Sequence, residues 1–251
     1  RAVPLAGSAR GLRERVEDAV RDALTGLGLD EAYTFSLVGE ELIASLEPGS
    51  EPPRPPWRVE HGSRKRENLL RVSLSPSLLA ARRHNQTHGT PNAALFEIAN
   101  VFLPRPVGEG DLPDEPTRLA MVRGGDYLSM KGVVEALLRR LHVTDRLEVR
   151  PLSRPFFAAG RAAELLLSGR RLGVLGEVSE EARQALELAD ECSVAELDFE
   201  LLATRADLVP RYQPLPQYPA VARELSLVVP QSVTWAELAD ATRAAGGPLL
   251  Q

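Results

Sequence analysis

Ala162-Ala163-Glu164-Leu165-Leu166-Leu167-Ser168-Gly169-Arg170-Arg171-Leu172-Gly173-Val174-Leu175-Gly176-Glu177-Val178 reads as two strands, 162–167 and 171–178, joined by Ser168-Gly169-Arg170. A serine–glycine turn between two apolar runs is a tight hairpin signal, because glycine takes the positive φ that such a turn needs. The pairing is therefore local and antiparallel. Arg146 to Pro151, Arg118 to Arg123, Ala94 to Leu103 and Trp57 to His61 read as further strands upstream, and Val194 to Leu197 as one downstream. Ala32 to Val38 is also strand-like, with Tyr33, Phe35 and Leu37 on one side. Helices interrupt these strands without regular crossover units. The expected class is α+β around a largely antiparallel sheet.

Two helices are strongly periodic. Ser8, as N-cap, precedes Leu12, Val16, Ala19, Val20, Ala23, Leu24 and Leu27, whose steps of three and four make one face that stops near Gly28. Tyr127 to His142 carries Val133, Val134, Leu137, Leu138 and Leu141 on one face. Ser75-Pro76 opens a third helix, with Pro76 suited to its first position. Ser179 caps a short one, with Glu180 and Glu181 in the first turn favouring its dipole. The prolines of Glu47 to Pro56 mark a stiff surface loop. Val209 to Gln217, with Pro210, Pro214 and Pro216, reads as a linker between a core at 1–208 and a tail at 218–251. In the tail, Arg223 to Val229 alternates like a half-buried strand. Thr234-Trp235-Ala236-Glu237 is a capping box for a helix reaching Gly246.

At 251 residues the chain is one large domain or two ordinary ones, and its net charge of −5 excludes a generically basic nucleic-acid coat. Lys65 and Lys131 are the only lysines among 30 basic residues, which reads first as compositional drift of the source. The single cysteine, Cys192, excludes an internal disulfide framework and a multi-cysteine metal site. No apolar run approaches the ~18–20 residues of a membrane span, and no signal peptide is expected. A cytoplasmic location is expected. The start at Arg1 and the end at Gly246 to Gln251 read as those of a fragment.

Few residue groups point to chemistry. His84 and His88 are spaced like zinc ligands on a helix, but position 85 is Asn and Gly89-Thr90-Pro91 ends the helix there. Gly26-Leu27-Gly28 sits at a helix C-terminus, where the dipole repels phosphate. Glu97, inside an apolar strand, is expected to pair with a buried arginine, the other reading being a site carboxylate. Arg54, Arg58, Arg64, Lys65, Arg66, Arg71, Arg82 and Arg83 stand against only Glu60 and Glu67, a basic stripe in an acidic chain. That stripe reads either as a solvated face or as a contact for RNA phosphates or an acidic partner. No catalytic, cofactor-binding or metal residue emerges.

Several segments together resemble the β subunit of bacterial phenylalanyl-tRNA synthetase. Asn68-Leu69-Leu70-Arg71-Val72-Ser73-Leu74-Ser75-Pro76-Ser77-Leu78-Leu79 is similar to that family's N-x-LR-x-SL-x-PGLL segment, and Leu95-Phe96-Glu97-Ile98-Ala99-Asn100-Val101-Phe102 to its LFEIGRVF strand. Lys131-Gly132-Val133-Val134-Glu135-Ala136-Leu137-Leu138 resembles LKGVVEALL. Gly160-Arg161-Ala162-Ala163-Glu164 and Gly173-Val174-Leu175-Gly176-Glu177-Val178 resemble its PGR-x-A turn and IG-x-xGE hairpin. Tyr218 to Val229 resembles FPAV-x-RDLALVV, which opens the ferredoxin-fold anticodon-binding domain. Each match is weak alone; their order and spacing make the resemblance specific. The chain departs from the pattern at Ala158-Ala159, where His-Pro is common, and at Asn100.

The resemblance implies a class II synthetase-like antiparallel sheet flanked by helices, followed by a truncated ferredoxin-like domain. It implies a non-catalytic copy of the catalytic α-subunit domain. Consistently, no arginine lies between Ala94 and Pro104 to hold an ATP phosphate. ATP and Mg2+ would belong to the whole enzyme. The implied partners are the α subunit, in an (αβ)2 heterotetramer joined by first-motif helices, and tRNA. On this reading Leu12, Val16, Val20 and Leu24 form the subunit interface, and Arg82, Arg83 and Arg223 contact RNA. The competing readings are a stand-alone biotin/lipoate-type ligase, whose Gly-Arg-Gly-Arg loop is missing here, and a synthetase-derived regulatory protein.

Overall fold

The computed structural model describes residues 10–44, 55–60, 67–105, 112–209, 212, 219–247 and 250. They fall into two units, divided between Pro210 and Arg211. The first unit runs α1 (Leu12–Gly26), β1 (Asp30–Glu31), β2 (Leu37–Val38), α2 (Glu40–Ala44), β3 (Leu69–Leu70), α3 (Ser75–Thr87), β4 (Leu95–Asn100) and β5 (Thr117–Gly124). It continues with α4 (Tyr127–Arg140), β6 (Leu147–Pro151), β7 (Phe157–Leu167), β8 (Arg170–Val178), α5 (Glu180–Ala185), β9 (Cys192–Asp198) and α6 (Phe199–Arg205).

Seven strands form one sheet in the order β1-β4-β5-β9-β8-β7-β6. β1 runs parallel to β4, and the other neighbours are antiparallel. β2 and β3 make a separate ribbon. The β7–β8 hairpin closes through Ser168 and Gly169, at φ 48° and 77°. Two positive φ values give the turn whose twist matches that of the strands.

Alternation along the strands feeds two cores. Phe96, Leu119, Met121, Leu175, Ala195 and Leu197 face α1, α4 and α6, meeting Val16, Val20, Leu24, Leu137 and Phe199. Their neighbours Leu95, Ala120, Val122 and Val194 turn the other way, toward Leu74, the N-cap of α3, and Leu78 and Leu79 within it, with Phe157 and Ala182. Both faces of the central strands are therefore filled by the chain's own side chains. α1 is tied to β1 by Arg21, whose Nε donates to Glu31 at 2.8 Å while an Nη donates to Glu17 at 2.7 Å.

Several local expectations change. Ser8 lies outside the described residues; the N-cap of α1 is Gly11, whose N–H donates to Glu14 at 3.0 Å. Ala32 to Val38 is not one strand. Thr34 turns its N–H and hydroxyl onto Glu97, so Ala32 ends the β1–β4 ladder with its N–H on the Phe96 carbonyl, while Leu37 and Val38 pair in the second ribbon. Tyr33 and Phe35 are left 80% and 70% exposed. Trp57 to His61 contributes one bridge, Arg58 to Leu69, and His61 lies outside the described residues. α2 and α6 were not anticipated; α6 is capped by Asp198, which accepts from the Leu201 N–H at 2.9 Å.

In the second unit, α7 (Trp235–Gly246) has the expected capping box between Thr234 and Glu237. Arg223 to Val229 forms no strand, and Leu225 is 78% exposed. A strand needs a neighbour for its backbone donors and acceptors, and none forms among the described residues of this unit.

Candidate functional site

One row across the sheet carries the most elaborate polar chemistry in the core. Glu97 of β4 lies opposite Ala120 of β5, and Ala120 opposite Glu196 of β9. Both carboxylates reach the segment Arg71 to Ser75, which joins β3 to α3. Glu97 accepts from Arg71 Nη1 at 3.0 Å and from the Thr34 hydroxyl at 2.7 Å. The ion pair is almost wholly buried, its side chains 4% and 2% exposed. Arg71 also donates from Nε to the Asn100 carbonyl at 3.1 Å and from Nη1 to Thr34 Oγ1 at 2.8 Å. One oxygen of Glu196 accepts from Ser73 Oγ at 2.6 Å, Ser75 Oγ at 2.7 Å, and the backbone N–H groups of Ser75 at 3.0 Å and Leu74 at 3.1 Å. A carboxylate at the start of α3 satisfies otherwise orphaned donors and complements the helix dipole.

The expected arginine partner of Glu97 is thus Arg71. Serine and threonine hydroxyls, backbone N–H groups and a guanidinium consume the two carboxylates that could have done chemistry on this face. The donor set does not fit a magnesium nucleotide. β4 carries no arginine for a phosphate, and among the described residues no three His, Cys, Asp or Glu side chains could hold a metal. His84 and His88 stack at 4.0 Å between centroids, with His88 Nδ1 2.7 Å from the His84 carbonyl. Cys192 is buried, and burial pushes its thiol up to about 12.

The proposed interface residues need correction. Val16, Val20 and Leu24 are 0% exposed, packed on their own sheet, and have no surface left for a partner. Leu12, 47% exposed at the start of α1, remains available. Arg82 is likewise corrected: it is 0% exposed, holds Asp190 at 2.7 Å and donates to the Ala93 carbonyl. Arg83 pairs with Glu187 on the surface, and Arg223 is exposed. In the basic stripe, Arg58 pairs with Glu40, while Arg54, Arg64, Lys65 and Arg66 lie outside the described residues. Each described stripe arginine therefore faces a carboxylate rather than an open cationic surface.

Sequence reasoning passed over Thr34, Ser73, Ser75 and Glu196. The available signal was Val194-Ala195-Glu196-Leu197, an acid inside an apolar strand just as Glu97 is. It also passed over Tyr33 and Phe35 as surface residues. They stand on the segment that leaves the edge strand β1, beside a groove of about 1290 Å3 that α2, α3 and the end of α5 also line. Tyr33 and Phe35 are thus exposed aromatic surface beside the sheet edge.

Among the described residues no helix is long and apolar enough to cross a membrane. The fold is shared with pyrrolysyl tRNA synthetase from Desulfitobacterium hafniense, of class II. One structure of it superposes with a TM-score of 0.63 at 15% identity, covering 78% of this chain and 69% of that one. Among curated relatives, a phenylalanine–tRNA ligase β subunit of Rhodopirellula baltica is 37% identical over 97% of this chain and 37% of its own length. That of Moorella thermoacetica is 34% identical over 95% of this chain and 31% of its own. The chain thus spans about a third of the length of these relatives. Those names favour the synthetase resemblance over the biotin/lipoate-type and regulatory readings. A family profile described as the phenylalanyl tRNA synthetase beta chain CLM domain matches residues 2–199, and to that family this chain belongs.

Proposed function

We propose that the chain is the central module of a phenylalanine–tRNA ligase β subunit and works as a non-catalytic scaffold for the α subunit. In the assembled cytoplasmic enzyme, an (αβ)2 heterotetramer, the α subunit supplies adenylate formation with ATP and Mg2+ and charges tRNA with phenylalanine. The observation that carries the reading is that the sheet is closed to substrate. α3 and Phe157 cover one face, α1, α4 and α6 the other, and Glu97 and Glu196 are held by the chain's own Arg71, Ser73 and Ser75. A developing phosphate charge would meet no preorganised cation there.

Scaffolding instead uses the β1 edge. Leu12 opens α1, and Tyr33 and Phe35 follow β1; all three are exposed, and β1 is the edge of the seven-stranded sheet. Residues 218–251 are the start of a ferredoxin-fold anticodon-binding domain. About 35 residues cannot close such a domain, in keeping with the exposure of Leu225 and Trp235. The domain division is 1–208, 209–217 and 218–251.

Co-expression with the α subunit of the same source, followed by gel filtration with light scattering, tests the reading. A stable complex containing both chains is expected, and the isolated chain should give no ATP–pyrophosphate exchange. Separate peaks would remove the scaffold role, and exchange by the chain alone would remove the non-catalytic assignment.

A further inference from the structure

Of the arginines that have no carboxylate partner among the described residues, three lie outside the basic stripe on neighbouring elements. Arg139 and Arg140 end α4, and Arg170 follows the β7–β8 turn; all three are exposed, with no carboxylate partner among the described residues. The fold draws these places together. The Ser168 N–H reaches the Arg146 carbonyl at 3.5 Å and its hydroxyl reaches Asp145 at 2.5 Å. Arg205, at the end of α6, lies 3.3 Å from Asp145, and the Asp207 N–H donates to the Leu141 carbonyl at 2.9 Å. The end of α4, the loop into β6, the hairpin tip and the end of α6 thus form one end of the core unit. The acids there are already engaged. Asp145 is shared by Ser168 and Arg205, Asp207 accepts from the Val209 N–H at 3.1 Å, and Glu164 holds Arg171 at 2.7 Å.

We propose that this end of the core unit, through Arg139, Arg140 and Arg170, is a surface for the phosphate backbone of RNA. The inference rests on the reading of the chain as part of a tRNA ligase, and names where its RNA lies against this module. Two of the arginines complement the α4 dipole in any case. That does not account for Arg170, which arrives from a different element. A guanidinium fork accepts two phosphate oxygens at once, and side chains anchored on a helix end and a hairpin hold that fork in place. In a chain of net charge −5, a local excess of this kind gives an approaching polyanion one favoured side.

The test uses the 251-residue chain in complex with the α subunit, a tRNAPhe transcript as probe, and fluorescence anisotropy at several salt concentrations. The triple variant R139E/R140E/R170E is expected to fold with a slightly lowered melting temperature, since two of the arginines complement the α4 dipole while none has a carboxylate partner to lose. It should keep the α subunit and bind the transcript at least tenfold more weakly. The slope of log affinity against log salt should flatten by about 2–3, at about 0.7–0.9 for each phosphate contact removed. Unchanged affinity and slope would overturn the surface while leaving the ligase reading intact. A variant that binds RNA normally but sheds the α subunit would make this end a protein interface and likewise overturn the proposal. If the unmodified complex binds no transcript, both the inference and the tRNA part of the reading fall.

Discussion

At Arg71 and Glu97 a guanidinium and a carboxylate are sealed in the core at 3.0 Å, and each is worth more to its partner than the pair is to the fold. Taking both ions out of water costs nearly what their attraction returns, whereas removing one strands the other. Glu97→Ala should therefore lower unfolding stability by about 3–5 kcal/mol. Arg71→Met combined with Glu97→Leu should cost far less than the sum of the two single changes. Urea unfolding of the four proteins of this cycle measures the coupling, and additive losses would show that Arg71 and Glu97 act independently. Cys192 makes a second residue-scale prediction. Burial lifts its thiol from an ordinary 9.0 to about 12, so the native protein should resist iodoacetamide at pH 8, while the urea-unfolded chain reacts promptly. The folded pKa lies above the unfolded one. As pH rises through 9 the unfolded chain loses its proton first, and stability should fall by about 1.4 kcal/mol per pH unit until about 12. Cys192→Ala should remove that part of the alkaline slope.

At the scale of elements, β8 depends on two glycines for different reasons. A Cβ on Gly173 would stand 2.1 Å from the Glu196 carbonyl oxygen of the neighbouring strand, so backbone must move and the β8–β9 pairing must open. A Cβ on Gly176 would meet the Phe157 ring at 2.4 Å, a side chain that can be replaced. Gly176→Ala is expected to cost about 1–3 kcal/mol, the usual range for overpacking, and Phe157→Leu in the same chain should recover much of it. Gly173→Ala should cost more, with no single side-chain change rescuing it; thermal melts of the three variants distinguish the cases. The hairpin containing both glycines was legible in the sequence because its signal is local: two apolar runs and a Ser-Gly turn. β1 and β2 were not. Tyr33, Phe35 and Leu37 alternate as a strand should, but Thr34 finds Glu97, 63 residues away, and that bond bends the segment off the sheet. Two arginines of the basic stripe are buried for the same reason. Arg71 and Arg82 are close in sequence, yet each faces a carboxylate 26 and 108 residues distant. Charge density along a chain reports surface charge only where no such partner exists.

For the molecule as a whole, the first helix shows what periodicity determines and what it leaves open. Leu12, Val16, Val20 and Leu24 fall on one face, and that face must be covered, but the spacing does not say whether the cover is the chain's own sheet or another subunit. The structure divides the face: Val16, Val20 and Leu24 are in the core, and Leu12 is at the surface. Folding and assembly should therefore respond to different residues. Val20→Ala removes buried methyl groups beneath the sheet and should lower unfolding stability by about 1–3 kcal/mol through lost burial and a residual cavity. Any α-subunit complex should still form below the lowered melting temperature. Tyr33→Ser with Phe35→Ser removes side chains that are 80% and 70% exposed, so the melting temperature should hardly move while the complex dissociates. Recovery of α subunit on a tagged chain, read beside a melt of each variant, separates the two effects. If the aromatic pair can be removed with the complex intact, the β1 edge is not the docking surface. Assembly would then fall to Leu12 and the outer side of α1, or to another exposed face of this chain.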